Sequence, residues 1–390
     1  MAFARLFLLL CGISLSSQLY AQCETTDTPK IRLGMSTALS GPVQYIGQSM
    51  RDGMLAYFER VNCAANQHHY ELIVRDDGYQ PGSALENVKK LVEQDQVLAV
   101  VGNVGTPTAK VAAPYVQEQQ KVFFGAYTGS SILRNTPPDP YIFNFRASYR
   151  QELEAIINHV VESGIKPSRI AFLIQDDAYG HTGFDAALSV LREKGFKHAN
   201  KLLVARYPRN TLQIDKAIIQ MLDMPKSPKA VIIVGAYAAA AKFINYSHNL
   251  FPGAHYYNLS FTGATALGEN LEIASNRVFV SQVVPYLGNG LALSHAFKAD
   301  MQKYVPSGRI NEISFEGYIV ASLLDKALQN KQVSSADDIK FALRDLGRVD
   351  IGLGEDVLLS NEQHQASRRV WLMQYKRGEG FVTKVGLSND

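Results

Sequence analysis

Four short turns gather hydroxyls and aromatic rings behind apolar runs. The first is "VVGNVGTPTAK": an apolar run over residues 97–101 stops at Gly102, and Thr106 and Pro107 open a helix-forming stretch. The second, "FFGAYTGSS", carries Ala126, Tyr127 and Thr128; "IQDDAYGHTGF" carries Asp176, Asp177 and Tyr179; "IIVGAYA" carries Tyr237. A threonine before a proline at a helix start predicts an N-cap at Thr106, with Pro107 at the first helical position. Free first-turn N–H groups, reinforced by the helix dipole, favour an anion such as a carboxylate. Two uses of Thr106 compete, because a hydroxyl bonded to its own helix is less free to bond a ligand. Tyrosines at such turns can sandwich a small ligand, although each taken singly also reads as a half-buried packing residue.

Catalytic chemistry has less to stand on. There is no G-x-S-x-G elbow and no phosphate-cradling G-x-x-x-x-G-K-[ST]. His68 and His69 are adjacent and cannot share one face; His181 reads as a helix-start or surface residue. The pairs Asp76–Asp77 and Asp176–Asp177 alternate faces if they lie on strands. No cysteine–histidine cluster has metal spacing, so neither metal nor cofactor is expected.

Positioning four turns at one edge requires strands that all deliver the chain the same way. The sequence alternates accordingly. "KIRLGMSTAL", "YELIVRDD", "VLAVVGN" and "KVFFGAYT" read as strands, separated by helical patterns such as "GQSMRDGMLAYFERVN". After "YIFNFRASY" the alternation restarts with "QELEAIINHVVESG", "RIAFLIQDD", "NKLLVARYP" and "KAVIIVGAY". Strands alternating with helices make βαβ units and parallel sheets, whose ligands gather at the strands' carboxyl ends. Two such lobes side by side fit the 390 residues.

Hydrophobic residues at 46% and charged residues at 19% describe a folded chain. Lysine plus arginine number 39 against 36 acidic residues, which argues against a nucleic-acid surface. Arg5, the run "LFLLLCGISL" and "LYAQ" read as a secretory signal peptide over residues 1–21, cleaved after Ala21. A lipoprotein with Cys23 modified is the weaker reading, since Gln22 precedes it. Cys11 leaves with the signal. Cys23 and Cys63 remain, and an even count in an oxidising compartment suggests one disulfide; two unpaired thiols are the alternative.

The landmarks "LSGPVQYIGQSMRDGMLAYFERVN", "VVGNVGTPTAKVAAP", "DDAYGHTGFDAAL" and "FEGYIVASLLDKAL" together resemble the leucine/isoleucine/valine-type periplasmic substrate-binding proteins of ABC transporters, as a divergent branch. The resemblance implies a type I periplasmic-binding fold, two doubly wound parallel-sheet lobes joined by three crossover strands. "YIFNFRAS", "RVFVSQVVPY" and a segment after Gly352 look like the crossovers. Lobe 1 is then residues 22–146 plus 280–352, and lobe 2 residues 147–279 plus 353–390. By the same resemblance, Thr106 binds an α-carboxylate, and Ala126, Tyr127 and Thr128 meet the ligand's main-chain groups. Tyr179 and Tyr237 face it from the second lobe, with Tyr45, Thr265 and Gln282 completing the set. Two departures stand out. The family's ammonium-binding glutamate falls on Ala264 or Thr265, with Glu269 an uncertain substitute, and the pocket-capping aromatic falls on Ile46, beside Tyr45.

The implied function is a monomeric periplasmic protein that encloses a small polar ligand, amino-acid-like or another carboxylate or amide, and delivers it to an inner-membrane permease. A ligand-sensing subunit of a membrane signalling partner is the alternative. An enzyme using the interlobe cleft comes third.

Overall fold

The computed structural model describes residues 30–64 and 68–387, the last four of them as backbone. The signal peptide, its cleavage site and Cys23 lie outside the described residues, and with Cys23 lies the expected pairing to Cys63.

The first lobe opens with β1 (Lys30–Thr37), α1 (Gln44–Cys63), β2 (His69–Asp76), α2 (Pro81–Glu93), β3 (Ala99–Val101), α3 (Thr106–Glu118), β4 (Val122–Phe124) and β5 (Ile142–Phe143). The second holds α4 (Tyr149–Glu162), β6 (Ile170–Gln175), α5 (Ala178–Glu193), β7 (Leu203–Tyr207), α6 (Asp215–Leu222), β8 (Ala230–Val234), α7 (Tyr237–Ser247), β9 (His255–Asn258), α8 (Ala264–Glu269) and β10 (Val278–Gln282). Back in the first lobe come α9 (Ala292–Tyr304), α10 (Glu312–Leu328) and α11 (Ala336–Arg344). The chain ends with β11 (Gly347–Val349), β12 (Val357–Leu359), β13 (Val370–Lys376) and β14 (Gly380–Leu387).

Five strands form the first sheet in the order β2-β1-β3-β4-β5, all parallel. Seven form the second, β14-β13-β10-β9-β8-β6-β7. Its β13 and β14 are antiparallel additions at one edge. Only three residues separate those two strands, too few for a crossover, so they can pair only as a hairpin.

Strand interiors such as Val100, Val101, Phe172 and Ile232 are fully buried, as expected of parallel sheets covered on both faces. Helix starts are locally encoded: Ser148 and Gln151 form a capping box at α4, and Asp177 accepts from Tyr179 N and Gly180 N at α5. Helix α10 is buried along most of its length and crosses α1 closely. A Cβ on Gly53 would stand 1.7 Å from the Ser314 carbonyl, so the crossing requires glycine there.

The lobes are stitched together near β5. Asn144 N donates to His364 O (2.7 Å), Ala366 N to Asn144 O (2.9 Å) and Ser367 N to Phe145 O (2.8 Å). The first and third crossovers therefore run side by side, with the second following β10 through Val283 and Val284.

Candidate functional site

The carboxyl ends of β3 and β4 face those of β6, β8 and β9 across the interlobe cleft. The sequence places Thr106 as a helix cap; the structure corrects this. Gly105, at φ +103°, is the N-cap, Thr106 is the first helical residue, and its side chain makes no capping bond. Glycine alone readily adopts that φ. A Cβ on Gly105 would also lie 2.2 Å from the Tyr79 ring.

Freed from capping, the Thr106 hydroxyl stands 2.7 Å from Thr128 Oγ1 and 3.2 Å from the Tyr149 hydroxyl; Thr128 and Tyr149 are 3.1 Å apart. All three are buried. Three hydroxyls in a ring can each donate one bond and accept one, which uses every donor and leaves acceptor lone pairs. Ser130 N takes one of these on Thr128, at 3.2 Å.

Phe261 is the hub of the cleft. Its ring centroid is 4.5 Å from Tyr179, 5.6 Å from Tyr127 and 6.0 Å from Tyr79, and Tyr149 lies 5.4 Å from Tyr179. None of these five is more than 1% exposed, so the chain's own side chains fill the space between them. Tyr79 reaches in from the loop after β2 with a left-handed backbone, φ +61°, uncommon for a bulky residue. Asp77 Oδ1 holds its N–H at 2.8 Å. From the opposite lobe, Gln175 Nε2 approaches the Tyr79 hydroxyl at 3.4 Å and Arg209 donates to Tyr79 O at 3.1 Å, while Tyr127 of the first lobe donates to Ser260 O of the second at 3.1 Å. These contacts hold the cleft shut.

Three buried charged groups border the aromatic cluster, Arg146, Glu316 and Glu152. Arg146 makes a bidentate pair with Glu316 (2.9 and 3.0 Å) beneath the Tyr127 ring, whose centroid is 4.0 Å from the guanidinium. Burial is the largest influence and works against its charge, but Glu316, Tyr127, Glu152 and Tyr149 together outweigh it and the guanidinium titrates above its ordinary range. Glu152, at the first turn of α4, accepts from Ser260 N (2.8 Å) and Ser281 Oγ (2.6 Å) through one oxygen. Among the described residues, polar atoms of this cluster remain without partners: Tyr179 OH, Arg146 Nη1, Glu152 Oε1 and Ser260 Oγ. Burial pushes the Tyr179 hydroxyl's pKa well up, with Tyr149 and Glu152 adding to the rise.

The other sequence candidates are spread around this centre. Tyr45 and Tyr237 pair at the mouth, ring centroids 5.8 Å apart, with Arg309 4.6 Å above Tyr45. The Ala126 methyl packs in the first lobe's core, and its carbonyl accepts Thr128 N at 2.8 Å. Thr265, which with Ala264 is one of the two positions expected to match the family's glutamate, donates to Glu312 through its N–H (3.0 Å) and hydroxyl (2.5 Å). Thus a carboxylate is present, supplied by α10 of the opposite lobe. Thr265, Gln282, Glu269, Glu312, Tyr286 and Tyr375 help line a cavity of about 460 Å³ whose walls, among the described residues, carry no lysine or arginine. Ala264, Gln282 and Glu312 also border a void of about 10 Å³ beside Arg146 and Ser260, close to the room one water needs.

Sequence reasoning missed Tyr79, Tyr149, Phe261, Glu152 and Glu312. Ser148 with Gln151 marks a helix start that would have pointed to Tyr149 and Glu152; nothing local marks Tyr79 or Phe261.

The sequence matches the periplasmic binding protein family over residues 30–380. It is similar to a solved structure from Rhodopirellula baltica SH 1, described as a possible leucine/isoleucine/valine-binding protein: 38% identity, TM-score 0.88, 92% of this chain and 97% of that one. A branched-chain amino acid ABC transporter protein from Thermus thermophilus with bound valine shares the fold at 15% identity and TM-score 0.79, over 93% of this chain and 97% of that one. So does a solute-binding protein from R. palustris in complex with benzoate, at 15% identity and TM-score 0.77, over 92% and 96%. Among curated proteins nothing matches the chain. With two α/β lobes, a sealed cleft at the strand ends and a match spanning nearly the whole described chain, this protein belongs to the periplasmic binding protein family.

Proposed function

We propose that the protein captures a small polar ligand between its lobes in the periplasm and hands it to an inner-membrane ABC permease. The carrying observation is the set of unpartnered buried atoms at the interlobe centre, Tyr179 OH, Arg146 Nη1, Glu152 Oε1 and Ser260 Oγ. Leaving such atoms unpaired costs about 1–3 kcal/mol each, more where charged. A ligand that pairs them recovers that energy only when both lobes surround it, which ties binding to closure. Tyr179 and Arg146 offer donors and Glu152 an acceptor, so the ligand carries both an acceptor, carboxylate or amide, and a donor, amine or amide. An amino acid or its amide has this pattern. The acid-lined cavity at Glu269 and Glu312 suits the amine end, in place of the family's glutamate. Thr106, Thr128 and Tyr149 can redirect their hydroxyls once the ligand enters, and Tyr45 and Tyr237 close the mouth.

In support, structural relatives are transport proteins with ligands as different as valine and benzoate. A thermal-shift screen over amino acids, their amides, polyamines and small carboxylates tests the reading. A ligand at a hundred times its dissociation constant stabilises by about 2.7 kcal/mol. The reading expects stabilisation by compounds with both a donor and an acceptor. Stabilisation only by compounds lacking one of the two overturns it.

A further inference from the structure

A second concave site lies at the hinge, away from the interlobe centre. It is a cavity of about 480 Å³ to which all three crossovers contribute: Phe145 from the first, Val283 and Pro285 from the second, and Val357 through Trp371 from the third. Its floor is apolar, with Phe145, Val283 and Leu353 buried. Its rim carries Arg348, Arg368 and Arg369 against Glu355 and Asp356. Glu355 is spent on an ion pair with Arg369. Arg368 donates to Gln363 at 3.3 Å, and Arg348 pairs with no carboxylate among the described residues. Two guanidiniums thus stand over an apolar floor against one free carboxylate, Asp356. The walls are mixed, apolar below and charged at the rim, and a concave surface on which polar groups converge is a feature of small-molecule sites, with arginine forks suited to carboxylates.

We propose that the hinge cavity is a second ligand site, for a small amphipathic anion such as an aromatic or arylalkyl carboxylate. The apolar body lies on Phe145 and Leu353 beside Trp371, and the carboxylate meets Arg348 and Arg368. Because the walls belong to all three crossovers, an occupant favours the lobe arrangement in which they converge, and ligand in the cleft reciprocally favours the occupant.

Trp371 is the chain's single tryptophan, so it can report occupancy by itself. The test titrates the full chain with anilinonaphthalene sulfonate, an aromatic anion, and reads emission sensitised by energy transfer from tryptophan. Saturable sensitised emission is expected, displaced by phenylacetate and not by neutral phenylacetamide. Arg348→Ala with Arg368→Ala should weaken the probe at least about tenfold. Both arginines are exposed, and an unchanged melting temperature confirms the variant folds. Trp371→Phe should abolish sensitised emission while directly excited probe still binds. Absence of saturable binding, equal displacement by the amide, or unchanged affinity in the double variant each overturns the proposal. None of these residues lines the cleft, so failure here leaves the interlobe reading untouched.

Discussion

Tyr179→Phe separates a ligand role from a packing role by the sign of its effect. The Tyr179 ring is wholly buried against Phe261 and Tyr149, and its hydroxyl has no partner among the described residues. Phenylalanine keeps the ring contacts and removes only the oxygen. Relieving a buried unpaired hydroxyl should stabilise the ligand-free protein by about 1–3 kcal/mol. With an unfolding entropy of about 2.1 cal/mol/K per residue, a chain of this length converts that into a rise of roughly 1–4 °C in melting temperature. The ligand complex should move the other way. It loses a hydrogen bond, which weakens binding about tenfold for a neutral partner and up to about a hundredfold for a charged one. Scanning calorimetry on both proteins, with and without a compound selected by the screen, reads the two shifts together. A lower melting temperature in the ligand-free variant would show that the hydroxyl was already serving the fold. Unchanged affinity would remove Tyr179 from the ligand's partners.

Thr106→Val should leave the α3 cap intact, since Gly105 forms it, and cost the fold about 1 kcal/mol from the hydroxyl ring while weakening ligand about tenfold by titration calorimetry; a large loss of helix stability would restore the capping role. Burial pushes the Asp77 carboxyl up to about 6 against hydrogen bonds from Ser36 and the Tyr79 N–H. Being raised in the folded state, it favours folding most below its unfolded pKa, and that contribution falls by roughly 3 kcal/mol as pH rises from about 4 to about 7. Asp77→Asn should flatten this part of the profile, and parallel profiles for the two proteins would refute the assignment. For the proposed Cys23–Cys63 bridge, thiol counting on the denatured, unreduced mature protein should find no free thiol, and two reactive thiols would dismiss it. Small-angle scattering should show compaction on adding ligand, with hinges over residues 143–146 and 281–284; an unchanged radius of gyration at saturation would mean the cleft is shut beforehand.

What could be read in advance divides by physical cause. Apolar runs ending in glycine and hydroxyl residues marked the ends of β3, β4, β6 and β8, because strand burial and turn chemistry are written within about ten residues. Thr106 and Thr128 were legible for that reason, both resting on neighbouring strands of one lobe. The cap was misread because a glycine that adopts φ +103° can terminate the helix in a threonine's stead, with proline one position further in. Tyr79 followed "DDG", which reads as an exposed turn; its burial is imposed from the other lobe by Gln175 and Phe261, 96 and 182 positions away. The same holds for Tyr127 with Ser260 and Thr265 with Glu312, partners 133 and 47 residues apart across the cleft. Tyr149 joins the hydroxyls of the first lobe from the first turn of a second-lobe helix. Tyr79, Phe261 and Glu312 acquire these contacts only when the lobes meet, and no periodicity or turn rule within a segment encodes that meeting; Glu152 instead binds Ser260 and Ser281 within its own lobe, 108 and 129 residues away. The missed residues whose contacts cross the cleft, such as Tyr79 and Glu312, are therefore the ones whose contacts must break and re-form for a ligand to enter, and among them variants should shift the balance between open and closed lobes most strongly.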